Sequence, residues 1–96
     1  MARLIVIYDI SDDSKRLRVS RTLQAWGLTR IQRSAFTGRA MRARARDLSR
    51  RLARMIDPET DVVHIVQLDE REWGRAIVLG KPYWARGAAG VEAALI

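Results

Sequence analysis

The chain has 96 residues, 48% of them hydrophobic, and no cysteine, so one core in a two-layer fold is the ceiling, and a disulfide scaffold, a thiolate metal site and thiol catalysis are excluded. A formal net charge of +7, carried by sixteen arginines and two lysines against eleven acids, points to a polyanionic partner, nucleic acid above all, although GC-rich codon usage also skews a chain toward arginine. The first apolar run, Leu4 to Tyr8, is too short for a membrane span or for the apolar region of a leader, which predicts a soluble cytoplasmic protein with no membrane partner.

The stretch from Arg3 to Ile10 is β-branched, aromatic and apolar on both alternating faces, the pattern of a strand in the middle of a sheet. Ser11, Asp12, Asp13 and Ser14 then offer helix caps, and Val19, Leu23 and Trp26 recur at helical steps before Gly27, which predicts a helix over Asp13–Trp26. From Leu28 to Phe36 the pattern alternates, with Arg30, Gln32, Ser34 and Phe36 on one face and Ile31, Arg33 and Ala35 on the other. Arg33 falls on a face that should meet a helix, so a bulge or an edge position is expected there, with Thr37 and Gly38 closing the strand. Alternation alone leaves open whether Leu28–Gly38 supplies both arms of a hairpin or one bent strand.

Met41, Ala45, Leu48, Leu52 and Met55 lay an apolar stripe along a second helix whose other faces carry arginine. Pro58 forbids its continuation, and Asp61–Leu68 reads as another interior strand. A further short strand is expected at Ala76–Leu79, ended by Lys81 and Pro82. Residues 1–82 are thus expected to form one domain, followed by a tail, 83–96, that docks on a partner subunit or frays. The order of elements predicts an α+β, ferredoxin-like βαββαβ fold with an additional C-terminal strand.

Asp9 is the main chemical candidate, a carboxylate placed where an apolar strand leaves the sheet. The ordinary role of such a residue is to accept hydrogen bonds from backbone amides at a helix entry, a role that Asp12 and Asp13 also fit. Magnesium gives it a second role. That ion keeps several waters and needs only one or two protein carboxylates, so one aspartate per subunit suffices where a two-fold axis supplies another. His64, the only histidine, lies inside an apolar strand and reads as structural. There is no nucleophile elbow, phosphate-binding glycine loop or paired-histidine zinc spacing. The arginines of the second helix, from Arg39 to Arg54, read as a general basic surface without sequence-reading groups. Phe36 could stack on a base, but packing is the better reading.

Val6-Ile7-Tyr8-Asp9-Ile10, Asp12-Asp13, Arg16, Arg18, Trp26-Gly27-Leu28 and the run from Arg30 to Gly38, in this order and spacing, resemble the CRISPR-associated adaptation endonuclease family, the second-numbered Cas family and smaller partner of the spacer integrase. The resemblance is close over the first forty residues and compositional beyond them. It implies a homodimer formed through the sheet face, with the strand around Ala76–Leu79 crossing to the partner's sheet. It also implies that Asp9 is both catalytic and metal-binding, with Mg2+ or Mn2+ as cofactor, and that Tyr8, Arg16, Arg18, Arg30 and Phe36 contact nucleic acid. Ser34-Ala35 replaces the polar or acidic residues frequent in relatives, and neither the arginine-rich helix nor the tail has a counterpart in that pattern.

Three functions follow as expectations. The first is a magnesium-dependent endonuclease of single-stranded RNA or double-stranded DNA within the spacer-acquisition module. The second is a non-catalytic DNA-binding scaffold that bridges integrase dimers. The third is a toxin-type messenger-RNA endonuclease on a similar fold.

Overall fold

The computed structural model describes residues 2–82. Strand β1 (Ala2–Asp9) leads into helix α1 (Asp13–Ala25), followed by β2 (Thr29–Gln32), β3 (Ala35–Ala40), α2 (Arg42–Ala53), β4 (Val62–Leu68) and a short helix α3 (Glu70–Gly74). The four strands form one antiparallel sheet in the order β2-β3-β1-β4, the ferredoxin-like arrangement.

Strand alternation divides β1 between two environments. Leu4, Val6 and Tyr8 are buried with Ile10, Phe36 and Ala40 against Val19 and Leu23 of α1 and Ala45, Leu48 and Leu52 of α2. The opposite face carries Ile7, Val62 and Val66, exposed at 46%, 43% and 39%. A strand that is apolar on both faces is therefore covered on one face only within a single chain. His64, opposite Ile7 in the ladder, is exposed on that same face rather than held in the core.

Both arms of the hairpin come from Thr29–Ala40, with Arg33 and Ser34 in the turn. The irregularity expected near Arg33 falls between Arg30 and Gln32, on the edge strand β2. β3 continues past Thr37 and Gly38 to Ala40, because Leu4 and Arg3 of β1 stay paired with Gly38 and Arg39. The close approach there explains Gly38: a Cβ atom at that position would lie 3.1 Å from Leu28 Cγ and 3.3 Å from Leu28 Cα.

Asp12 caps α1, accepting from the Lys15 amide at 2.8 Å and from the Ser14 hydroxyl at 2.7 Å. Gly27, at φ +90, ends it: its amide donates to Gln24 O at 2.9 Å and the Leu28 amide to Leu23 O at 3.0 Å, while Leu28 packs into the core. Met41 does not continue the stripe of α2, because it occupies the N-cap with extended dihedrals and is 60% exposed. After α2 the chain turns on Asp61, whose buried carboxylate accepts from the Asp57 amide at 2.9 Å and lies 4.0 Å from Lys15 Nζ.

Within the single chain no strand forms at Ala76–Leu79, the segment expected to cross to a partner's sheet. Asp69 and Glu72 close a capping box that starts α3 directly after β4, and α3 turns over the open sheet face, where Trp73 meets Arg3 at 4.9 Å and Glu70 pairs with Arg39 at 3.1 Å. Among the described residues no further strand pairs with the edge of β4, and Ile77 and Leu79 are 81% and 72% exposed. The tail, 83–96, lies outside the described residues.

Candidate functional site

The site is built at the end of the sheet where β1 gives way to α1. Asp9 is the last residue of β1, paired in register with Val62, and its side chain is exposed on the face that the helices leave open. Among the described residues, no side-chain hydrogen bond or ion pair engages its carboxylate. Asp12 performs the capping role that would otherwise explain a carboxylate here, and Lys15 and Ser14, which donate to it, hold its carboxyl below the usual range.

On the helix side of the same strand end, Tyr8, Arg30, Phe36 and Arg16 come together. Tyr8 and Phe36 stack with centroids 6.3 Å apart, and the Arg30 guanidinium lies 4.7 Å over the Phe36 ring. Burial pushes the Tyr8 hydroxyl up from its ordinary value, while the adjacent charges of Arg30 and Arg16 oppose that rise. Arg16 is anchored by donating to the Ile10 carbonyl at 3.1 Å and by pairing with Asp13, and Arg30 donates to the carbonyl of Arg33 in the hairpin turn. The Tyr8 amide donates to Ser34 O at 3.0 Å, which ties that turn to the end of β1.

Two of the expected contact residues depart from the expected role. Phe36 is fully buried, so it offers no face to a base and acts as the floor on which Arg30 rests. Arg18 is two residues, about 200°, around α1 from Arg16 and lies exposed on another face of the helix. The sequence pattern places the open-face apolar residues around Asp9 in an interior strand, whereas the structure exposes them. The signal that could have identified them is β4, where Val62, His64 and Val66 alternate with the half-buried Val63 and Ile65.

Magnesium fits this donor set in one way. Among the described residues no group of three histidine, cysteine or carboxylate side chains converges, so one chain offers no closed metal cage. A hydrated Mg2+ or Mn2+ ion, which needs only one or two protein carboxylates, would be held by Asp9 alone or together with the Asp9 of a second copy. A groove of about 690 Å³, lined by Ala2, Met41, Arg42, Arg46, Gln67, Leu68, Asp69 and Glu72, lies at the other end of β1 and includes no residue of this site.

Residues 1–76 match the family model described as CRISPR associated protein Cas2. A curated relative from Pyrobaculum aerophilum, named CRISPR-associated endoribonuclease Cas2 2, is 41% identical over 83 residues, covering 86% of this chain and 91% of the relative. A protein from Thermoproteus tenax named CRISPR-associated endonuclease Cas1/endonuclease Cas2 fusion is 41% identical over 68 residues, which are 71% of this chain and 26% of that protein. The crystal structure of Streptococcus pyogenes Cas2 at pH 6.5 superposes with a TM-score of 0.70 at 25% identity, covering 81% of this chain and 99% of the other. On a match that spans most of its length, the chain belongs to the Cas2 family of CRISPR-associated proteins.

Proposed function

We propose that the protein is a metal-dependent endonuclease of the CRISPR adaptation module, acting as a homodimer in which each subunit contributes Asp9. The observation that carries this reading is an exposed strand-end carboxylate with no structural task, because Asp12 caps α1 and Asp61 holds the turn before β4. Two such carboxylates brought together would repel, which favours their sharing a divalent cation. Such an ion, when bound, supplies charge neutralisation at phosphate and an acidified water. The names of the relatives point to RNA as a substrate class, and the net charge of +7 suits RNA and duplex DNA alike.

The roles of the chain's own residues follow from their placement. Arg16 and Arg30, fixed by backbone carbonyls, present guanidinium groups at the β1 end for substrate phosphate. Arg18 adds charge from the outer face of α1. Tyr8 and Phe36 position Arg30 rather than touching a base. The dimer rests on the open sheet face, where Ile7, Val62 and Val66 remain exposed around Asp9.

The test is cleavage of labelled single-stranded RNA and duplex DNA with magnesium, with EDTA, and by D9N, using two independent preparations. Loss of cleavage in both EDTA and D9N is expected, with manganese restoring activity to the wild-type chain alone. Cleavage that survives D9N overturns the Asp9 mechanism. A specific observation favours a second reading, a DNA-binding scaffold for a spacer integrase, since the T. tenax relative carries Cas1 and Cas2 in one chain. It predicts co-purification with the integrase and duplex binding that D9N leaves intact.

A further inference from the structure

Helix α2 carries a row of arginines that no structural contact explains. Arg42, Arg46 and Arg50 of α2 and Arg54 at its C-cap are all exposed and follow one another at four-residue steps, clear of the buried Ala45, Leu48 and Leu52. Each step advances about 6 Å and drifts about 40° around the axis, so the row runs about 18 Å along the helix. Only Arg50 has a carboxylate within reach among the described residues, Asp47 at 3.2 Å. Arg44 has a different role: it stacks 4.6 Å over Trp26 and donates to the Trp26 carbonyl at 3.1 Å, fastening α2 to the end of α1.

This row opposes the stability of its own helix. Like charges at i,i+4 repel, and the first turn places Arg42 and Arg44 at the positive end of the macrodipole with no acidic residue there and no side-chain cap at Met41. A surface needed only for solubility is better served by mixed charges. Asp69 and Glu72 line a groove with Arg42 and Arg46 but form no ion pair with them among the described residues; their carboxylates accept from each other's backbone amides in the capping box.

We infer that the Arg42–Arg46–Arg50–Arg54 row is a second nucleic-acid surface that tracks the phosphate backbone of a duplex independently of sequence. The inference rests on nucleic acid being the partner, as proposed above. Arginine at regular spacing suits a linear array of phosphates, and 18 Å of row spans the axial rise of about five base pairs at about 3.4 Å per phosphate of one strand. The residues between the arginines on the outward face are Ala43, Asp47, Ser49 and Ala53, with no aromatic ring on which an unpaired base could stack and no amide to read a base edge. These features favour duplex over single strand. The row lies on the helical layer and Asp9 opens on the opposite sheet face, so backbone tracking and the Asp9 chemistry can be lost separately.

The test measures binding of the full chain to a labelled DNA duplex and to the matching single strand across a salt series. Substituting R42Q, R46Q, R50Q and R54Q together is expected to weaken duplex binding about tenfold or more and to flatten the slope of log affinity against log salt by about 3 to 4, with a smaller effect on the single strand. The pairs R42Q/R46Q and R50Q/R54Q, each flattening it by about half as much, guard against misfolding of the fourfold variant, with helicity followed by circular dichroism. Unchanged duplex binding in the helical variants overturns the inference, and equal losses on both probes overturn the duplex assignment. Failure of the wild-type chain to bind either probe overturns the nucleic-acid reading itself.

Discussion

Tyr8 and Asp9 are neighbours with opposite surroundings, and strand alternation is the cause. The tyrosine side chain enters the core beside Phe36, whereas the aspartate opens on the uncovered face. Burial favours the neutral phenol over the phenolate, so the Tyr8 hydroxyl titrates above its ordinary value despite Arg30 and Arg16. An acid whose folded pKa is raised contributes fully below the unfolded value and loses that contribution as pH rises through and beyond it. Urea midpoints should therefore fall as pH passes about 10, and Y8F should flatten that alkaline limb while leaving the midpoint at neutral pH little changed. An alkaline limb of the same size in Y8F would place the titration elsewhere. The sequence could nominate Asp9, Asp12 and Asp13 together, but only the dihedrals at the start of α1 show that Asp12 is the cap, which leaves Asp9 without a structural task.

At the scale of elements, legibility followed the strength of the local signal. The end of α1 was readable because Gly27 is the residue type that tolerates a positive φ, and Leu28 returns to the core directly after it. G27A places a side chain at φ +90 and should cost roughly 1–2 kcal/mol, read as a lower denaturation midpoint with the same slope. A smaller loss would mean that the turn relaxes to a different cap. The short helix α3 was not readable, since Asp69-Glu70-Arg71-Glu72 reads equally well as a polar loop. What decides for a helix is the reciprocal pair of contacts, Glu72 amide to Asp69 at 2.7 Å and Asp69 amide to Glu72 at 3.0 Å, together with Arg3 and Arg39, which are distant in sequence and close in the sheet. Met41 misled for a related reason: helical periodicity extends to the N-cap only when that residue has helical dihedrals.

For the molecule as a whole, the apolar pattern of β1 and β4 records a surface larger than one chain can bury. The pattern of both strands is that of interior strands, and in a single chain each is covered on the helix side, with α3 over the Arg3 end and Ile7, Val62 and Val66 left around Asp9. A second copy packed on this face would complete the interior environment that the sequence pattern implies, and would bring the two Asp9 positions into one site. Solubility of the core and assembly can then be separated by substitution. I7D places a charge on the open face without touching Leu4, Val6 or Tyr8, so the folded chain and its helicity should persist while sedimentation shifts from dimer to monomer. Cleavage should be lost along with the dimer if each metal site needs two carboxylates. L48A, in the core beneath α2, should instead lower stability by roughly 2–5 kcal/mol and leave association of the remaining folded protein intact. A monomeric I7D that still cleaves would show that one Asp9 is sufficient, and a wild-type chain that sediments as a monomer at micromolar concentration would remove the two-carboxylate site altogether.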